Sequence, residues 1–188
     1  MNCINITRVI AAFICVLFST PAQAGSAEYV GSQKCKMCHN TKKDVQQFSI
    51  WQNSAHSGAY QTLSSDLAKE FALKAGVEGN PQEAGACLEC HVTGYGSDST
   101  MFAESFNIED GIQCESCHGP GSEYKSIKIM SKSKYASQRD VQHELALKAG
   151  LVVPEENICL KCHNERSPAF KGFDYKTYYE KIKHEYEH

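Results

Sequence analysis

The periodicity of this chain is helical and comes in short runs. Between Asp44 and His56, Val45, Phe48 and Trp51 recur at three-residue steps on one helical stripe, with Thr41 as a cap ahead of it. Ser64-Ser65-Asp66 opens a second helix. Its inward positions read as Leu67 and Phe71 with Leu73 or Ala75, and Gly76 ends it. Arg139 to Ala149 repeats the pattern and stops at Gly150. Asp174 caps a last helix that carries Tyr178, Tyr179 and Ile182. Alternation of apolar and polar residues never lasts more than a few positions, so the fold class is mostly α with little strand.

Two stretches resemble each other. Ala72-Leu73-Lys74-Ala75-Gly76-Val77 leads to Cys87-Leu88-Glu89-Cys90-His91, and Ala146-Leu147-Lys148-Ala149-Gly150-Leu151 leads to Cys159-Leu160-Lys161-Cys162-His163. Each reads as a helix stopped by a left-handed glycine, a loop of about ten residues, then Cys-x-x-Cys-His. Duplication of one unit accounts for the likeness, and so does chance similarity between helix ends.

The first 24 residues read as a cleaved export signal. Met1 to Arg8 ends in one positive charge, Val9 to Phe18 is apolar, and Pro21-Ala22-Gln23-Ala24 has the small-x-small pattern of a cleavage site. The apolar run is too short to span a bilayer, and bulky Phe13 and Ile14 before Cys15 argue against a lipid anchor. The expected product is a soluble periplasmic protein with no transmembrane anchor, a single domain over residues 25–188. Losing Arg8 leaves 18 basic groups against 22 acidic ones, a formal charge of −4. That balance lacks the basic stripe of a nucleic-acid binder, and it suits a partner with a positive docking patch.

All eight cysteines beyond the signal fall in four copies of Cys-x-x-Cys-His. They are Cys35/Cys38/His39, Cys87/Cys90/His91, Cys114/Cys117/His118 and Cys159/Cys162/His163. Two thiols at that spacing can form thioethers with the two vinyl groups of one haem, and the histidine after them can ligate its iron. Disulfides or Cys₄ zinc sites would use the cysteines but leave four identically placed histidines without a role. Four covalently attached haem c groups are therefore expected. With only 41% hydrophobic residues, much of the core would be the haems themselves, and folding would depend on their attachment.

What stands opposite each proximal histidine decides between electron relay and ligand chemistry. The histidines left over are His56, His143, His184 and His188, and the methionines outside the signal and the motifs are Met101 and Met130. His56 ends the first amphipathic helix, flanked only by the small residues Ser54-Ala55 and Ser57-Gly58, and His184 lies on the last helix with Ile182 and Tyr179 near its face.

Tyr29-Val30-Gly31 to His39, the segment ending Ser54-Ala55-His56, Cys87 to Gly96, and Gly111-Ile112-Gln113-Cys114-Glu115-Ser116-Cys117-His118-Gly119-Pro120-Gly121 resemble the tetrahaem cytochrome c-554 family. The likeness continues through Cys159 to Gly172 into the final helix, and so covers most of the chain beyond the signal. It implies an exported, mostly helical electron carrier between respiratory redox proteins, with haems in close stacked pairs. Some family members accept electrons from hydroxylamine oxidoreductase. The resemblance makes His56 the ligand opposite His163, and His184 the ligand opposite His118. It leaves the iron on His91 five-coordinate, open to a small ligand such as nitric oxide.

Two departures bear on function. The position that closes the first haem in the family type is Lys128 here, a poor ligand while protonated. Met130, two residues on, resembles a methionine of other relatives; Met130, His143, or an open or externally supplied site remain the alternatives opposite His39. The connection from Pro168 to Asp174 is also shorter, which removes a wall of the open haem and leaves His143, His188 or another subunit as candidate ligands there. Gly119, Pro120 and Gly121 are assigned tight turning or close backbone approach. Alternatives to electron carriage are nitric oxide reduction at the His91 haem and assembly into a conductive filament. The oligomeric state stays open.

Overall fold

The computed structural model describes residues 27–41 and 45–184. The signal reading, Asp44 and His188 lie outside the described residues. Short helices succeed one another along the rest. They are α1 Ser32–His39, α2 Gln47–Gln52, α3 Ala59–Thr62, α4 Asp66–Lys74, α5 Gly85–His91, α6 Cys114–His118, α7 Ile127–Met130, α8 Arg139–Lys148, α9 Glu156–Cys159 and α10 Tyr175–Tyr179. The fold is mostly α as expected. Among the described residues there is no strand, only a parallel bridge between Tyr29 and Phe102. None of their helices is long and apolar enough to cross a membrane.

Caps set the ends of α4, α8 and α10 where the sequence places them. The Ser65 hydroxyl accepts from the Ala68 N–H at 3.1 Å, and Asp174 Oδ1 accepts from the Thr177 N–H at 2.9 Å. Gly76 and Gly150, at φ 70° and 95°, close α4 and α8 with the same two bonds. Val77 N donates to Ala72 O and Gly76 N to Leu73 O; Leu151 N donates to Ala146 O and Gly150 N to Leu147 O. The two resembling stretches thus share a Schellman ending down to the equivalent alanines, both of them buried.

Those alanines correct the inward face expected for α4. Ala68, Phe71 and Ala72 turn inward, whereas Leu67 and Leu73 are 59% and 74% exposed and Ala75 is exposed too. Small residues at i and i+4 let the helix backbone approach its neighbours closely, and the leucines are displaced outward. A second correction concerns the run from Asp44. Val45 and Gln46 have φ of 56° and 55°, which no right-handed helix tolerates, so α2 starts only at Gln47 and Thr41 does not cap it. Phe48 is buried as expected and Trp51 is half-buried, its indole N–H donating to Ile112 O at 2.7 Å. His56 sits in turns beyond α2 rather than at its end, and Ile182 and His184 lie past α10, Ile182 in a turn, rather than on the helix expected to carry them.

Polar side chains, more than apolar ones, tie the helices together. The Glu115 carboxylate in α6 is 2% exposed. Its Oε1 accepts from Val30 N and Gly121 N at 2.8 and 2.7 Å, and its Oε2 from Gly31 N at 2.8 Å. Beside it Gln113 Oε1 accepts from Ser32 N at 2.7 Å, while Gln113 Nε2 donates to Asn107 O at 2.8 Å. The first N–H groups of α1 have no local side-chain cap, so residues of the α6 segment serve as its cap. Thr93, just past α5, joins the same knot. Its hydroxyl donates to Gly111 O and accepts from Gln113 N at 2.7 Å, so the Ser116 hydroxyl at 2.8 Å must donate to it. Three of the four Cys-x-x-Cys-His segments are held together by this knot.

Candidate functional site

In a helix, residues i, i+3 and i+4 point the same way, so Cys-x-x-Cys-His presents two thiols and an imidazole on one face. The first two motifs form the last turns of α1 and α5, the third is α6 itself, and the fourth starts at the end of α9 and continues as a turn. All four therefore lie at or next to helix–loop junctions, as the two resembling stretches imply. None of the eight cysteines is in a disulfide, and among the described residues no three His, Cys, Asp or Glu side chains converge as a metal cage. The zinc and disulfide readings find no support in this arrangement.

The motifs adjoin one another in a definite order. Cys35 and Cys114 share a side-chain hydrogen bond, which together with burial pushes the Cys35 thiol up. Burial first, and then the charge of Cys159, push the Cys117 thiol to about 11. Burial and then Cys90 push the Cys162 thiol to about 12. First motif meets third, third meets fourth, and fourth meets second. The second contact with the fourth is bridged by Arg166, whose guanidinium lies 2.9 Å from Glu89.

Cys38 stands apart from the other motif cysteines in its exposure. It is exposed, whereas the other seven motif cysteines, Cys35, Cys87, Cys90, Cys114, Cys117, Cys159 and Cys162, are half-buried. The reason lies in how α1 is seated. Its N-terminal end is fastened to the α6 segment through Gly31 and Ser32, and Cys35 meets Cys114 there. Cys38 comes one turn later, where the helix runs out from that contact toward its end at His39. It keeps the helical spacing from Cys35 that the motif requires, but at the surface.

Backbone carbonyls hold two of the proximal imidazoles by one nitrogen. His91 Nδ1 lies 2.7 Å from Ala59 O and His118 Nδ1 lies 3.2 Å from Val152 O. A carbonyl only accepts, so Nδ1 carries the proton and Nε2 keeps the lone pair a metal needs. His184 has the same arrangement, with Nδ1 3.0 Å from Ile182 O. The His39 ring is faced by the carboxamide of Gln47, whose Oε1 is buried and otherwise without a partner. Burial lowers the pKa of His39, His56, His118 and His163 below the ordinary imidazole value, and so favours the neutral, ligating form.

The structure brings two surplus histidines to two proximal ones. The rings of His56 and His163 are 6.1 Å apart at 62°, and those of His118 and His184 are 5.9 Å apart at 59°. Two metal–imidazole bonds of about 2.0 Å, with about 1.1 Å from each nitrogen to its ring centre, span about 6 Å. Both pairs fit an iron between them. Phe173 stacks on the far side of this arrangement, 4.6 Å from the His163 ring. That contact puts the short connection between Pro168 and Asp174 against the fourth motif. Among the described residues no second imidazole is paired with His39 or His91, and His143 is exposed on α8. Met130 is half-buried at the end of α7; Lys132, two residues on, lies near enough to His39 to add to the lowering of its pKa.

One turn serves three motifs at once. Ala59, whose carbonyl holds His91, donates its own N–H to His56 O, which also accepts from Ile112 N just ahead of the third motif. Gly111 makes this packing sterically feasible. At φ 69° and ψ −133° it occupies a region closed to other residues, and a Cβ there would stand 2.7 Å from His56 O. Gly111→Ala is expected to lower stability by about 2–4 kcal/mol through backbone strain and overpacking. A denaturation midpoint equal to that of the wild type would show that the His56 turn is not held this way. Gly119 performs the expected turning role: at φ 78° its Cα lies where a Cβ would meet Gly150 O at 3.0 Å.

Sequence reasoning missed the buried carboxylate of Glu115, the carbonyls of Ala59 and Val152, and Gln47. The carbonyls have no residue signature, and a glutamate between two cysteines reads as solvated.

Thioether-spaced cysteines, a histidine after each pair and imidazoles spaced for a shared iron define a c-type cytochrome. Residues 34–119 match the family described as "Cytochrome c554 and c-prime". Cytochrome c-554 of Nitrosomonas europaea is 29% identical over 170 residues, which cover 87% of this chain and 70% of that protein. No solved structure matches this chain. The chain is thus similar to the cytochrome c-554 family, c-type cytochromes, over these residues.

Proposed function

We propose that this protein is a periplasmic electron carrier, exported by residues 1–24, with residues 25–188 as a single domain. It binds four haem c groups through Cys35/Cys38, Cys87/Cys90, Cys114/Cys117 and Cys159/Cys162 and exchanges electrons with respiratory redox proteins. Haem iron bound there supplies one-electron chemistry, ferric to ferrous and back. His39, His91, His118 and His163 are its proximal ligands. His184 closes the iron opposite His118 and His56 the one opposite His163. The observation that carries this reading is the pair of imidazole–imidazole spacings of 5.9 and 6.1 Å. Contacts between cysteines of successive motifs support an order first–third–fourth–second along the chain of sites. The scarcity of buried apolar side chains supports a core made largely of haem.

Met130 is the proposed ligand opposite His39, supported by its place two residues before Lys132. His91, held by Ala59 and paired with no imidazole among the described residues, supports a second reading in which a small nitrogen oxide such as nitric oxide is bound and reduced there. Electron paramagnetic resonance of the ferric protein tests these assignments together. Expected are three low-spin irons and one high-spin iron, with Met130→Ala converting one low-spin signal to high-spin. Four low-spin signals would remove the nitric oxide reading. An unchanged spectrum for Met130→Ala would remove the methionine.

A further inference from the structure

We propose that Glu115 is a fixed buried negative charge that lowers the reduction potentials of the irons held by His39 and His118. The inference rests on haem attachment at the first and third motifs.

The charge state follows from the donors. Three backbone N–H groups converge on the two carboxylate oxygens at 2.7–2.8 Å, and no acceptor faces them. A protonated carboxyl would set its O–H against one of these N–H groups, so the site selects the ionised form. Gln113, one residue before the motif, shows the contrast. It caps the same helix with a neutral carboxamide because its surroundings offer both a donor, Ser32 N, and an acceptor, Asn107 O. Hydrogen bonding alone would therefore not require a charge in this knot, but the donor-only pocket around Glu115 does.

The charge sits between two attachment sites. Glu115 follows Cys114 directly and binds the backbone at Val30 and Gly31, one turn ahead of Cys35. After the Cys114 hydrogen bond and burial, its field adds to the raising of the Cys35 thiol, and it opposes the lowering of Cys114 that the hydrogen bond with Cys35 causes. Among the described residues no lysine or arginine is ion-paired with it, and exposed Lys125 is the cation whose field also reaches Cys35. Burial removes the salt screening that weakens surface charges. Reduction adds one electron to each ferric iron and leaves the carboxylate ionised, so a nearby negative charge favours the ferric form. Glu89 in the second motif has no comparable effect, being half exposed and neutralised by Arg166.

Redox titration of the holoprotein and of Glu115→Gln tests the idea, with each iron followed by its paramagnetic signal. The irons on His39 and His118 are expected to titrate at more positive potentials in the variant, and those on His91 and His163 to keep theirs. Glu115→Asp, which retains the charge, is expected to keep the wild-type potentials. Unmoved potentials, an equal shift of all four, or an aspartate variant that shifts like the glutamine one would overturn the proposal. If the glutamine variant does not accumulate, redox-difference infrared spectra of the wild type decide the matter. Carboxylate stretches that respond to reduction of the pair, with no protonated-carboxyl band, are expected; such a band appearing on reduction would overturn the fixed charge. The mass of the wild-type protein counts its haems separately. Fewer than four overturns the underlying four-haem reading, whatever the titration shows.

Discussion

With all eight motif cysteines changed to alanine, the chain is expected to lose its cooperative fold. Its helices are four to ten residues long, below the roughly 12–15 residues that an isolated helix needs in water. Tertiary burial must therefore hold them. Yet the buried apolar side chains among the described residues are Val30, Phe48, Leu63, Ala72, Val92, Tyr124, Tyr135 and Ala146, and they are scattered along the chain. Two of them are alanines. A domain of this size ordinarily buries far more, and stability is a small difference between large opposing quantities. On the proposed reading, covalent haem would supply large flat apolar surfaces at four points and link each motif to it at two places. Far-UV circular dichroism with a denaturant series is the measurement. A sigmoidal transition from native-like helix content in the alanine-substituted chain would defeat this expectation.

Glu115→Ala is expected to be the most damaging single substitution outside the haem-attaching residues. It leaves Val30 N, Gly31 N and Gly121 N buried with no acceptor. Each orphaned donor costs about 1–3 kcal/mol, so roughly 3–9 kcal/mol is lost in all. Whole domains are stable by only about 5–15 kcal/mol. The damage should concentrate where α1 meets α6, because the same carboxylate fixes Val30 and Gly31, the two residues that lead into α1. Hydrogen exchange of the holoprotein checks this directly. Protection at Val30 to Ser32 should fall well before protection at Ala72 or Ala146. Equal loss at both places, or none, would show that the knot does not act locally.

Features fixed by neighbouring residues are legible in the amino-acid sequence itself. Ser65, Asp174, Gly76 and Gly150 mark helix ends through bonds that span three to five positions, so sequence spacing carries them. The positive φ of Val45 and Gln46 has no such signal, and the helix expected through them is too long. The inward face of α4 is misleading because its alanines, rather than its leucines, make the close approach. Cys38 has the same letters around it as the other motif cysteines, and only the seating of α1 on α6 sets its exposure. His56 and His184 are unremarkable by pattern and gain a role only from the family resemblance; their rings do lie beside His163 and His118. Glu115 is visible as a letter between two cysteines. Its partners are backbone N–H groups up to 85 positions away, and every residue but proline has one, so nothing in the sequence points to them.

The two contacts made by glutamates inside motifs divide the molecule by its response to solvent. Glu115 joins the first and third motifs in a place that ions do not reach. The Glu89–Arg166 pair joins the second and fourth motifs with both side chains at least half exposed. Rising ionic strength weakens the second contact and leaves the first as it is. Salt therefore acts on the seam beside His91 and not on the one between the motifs of His39 and His118.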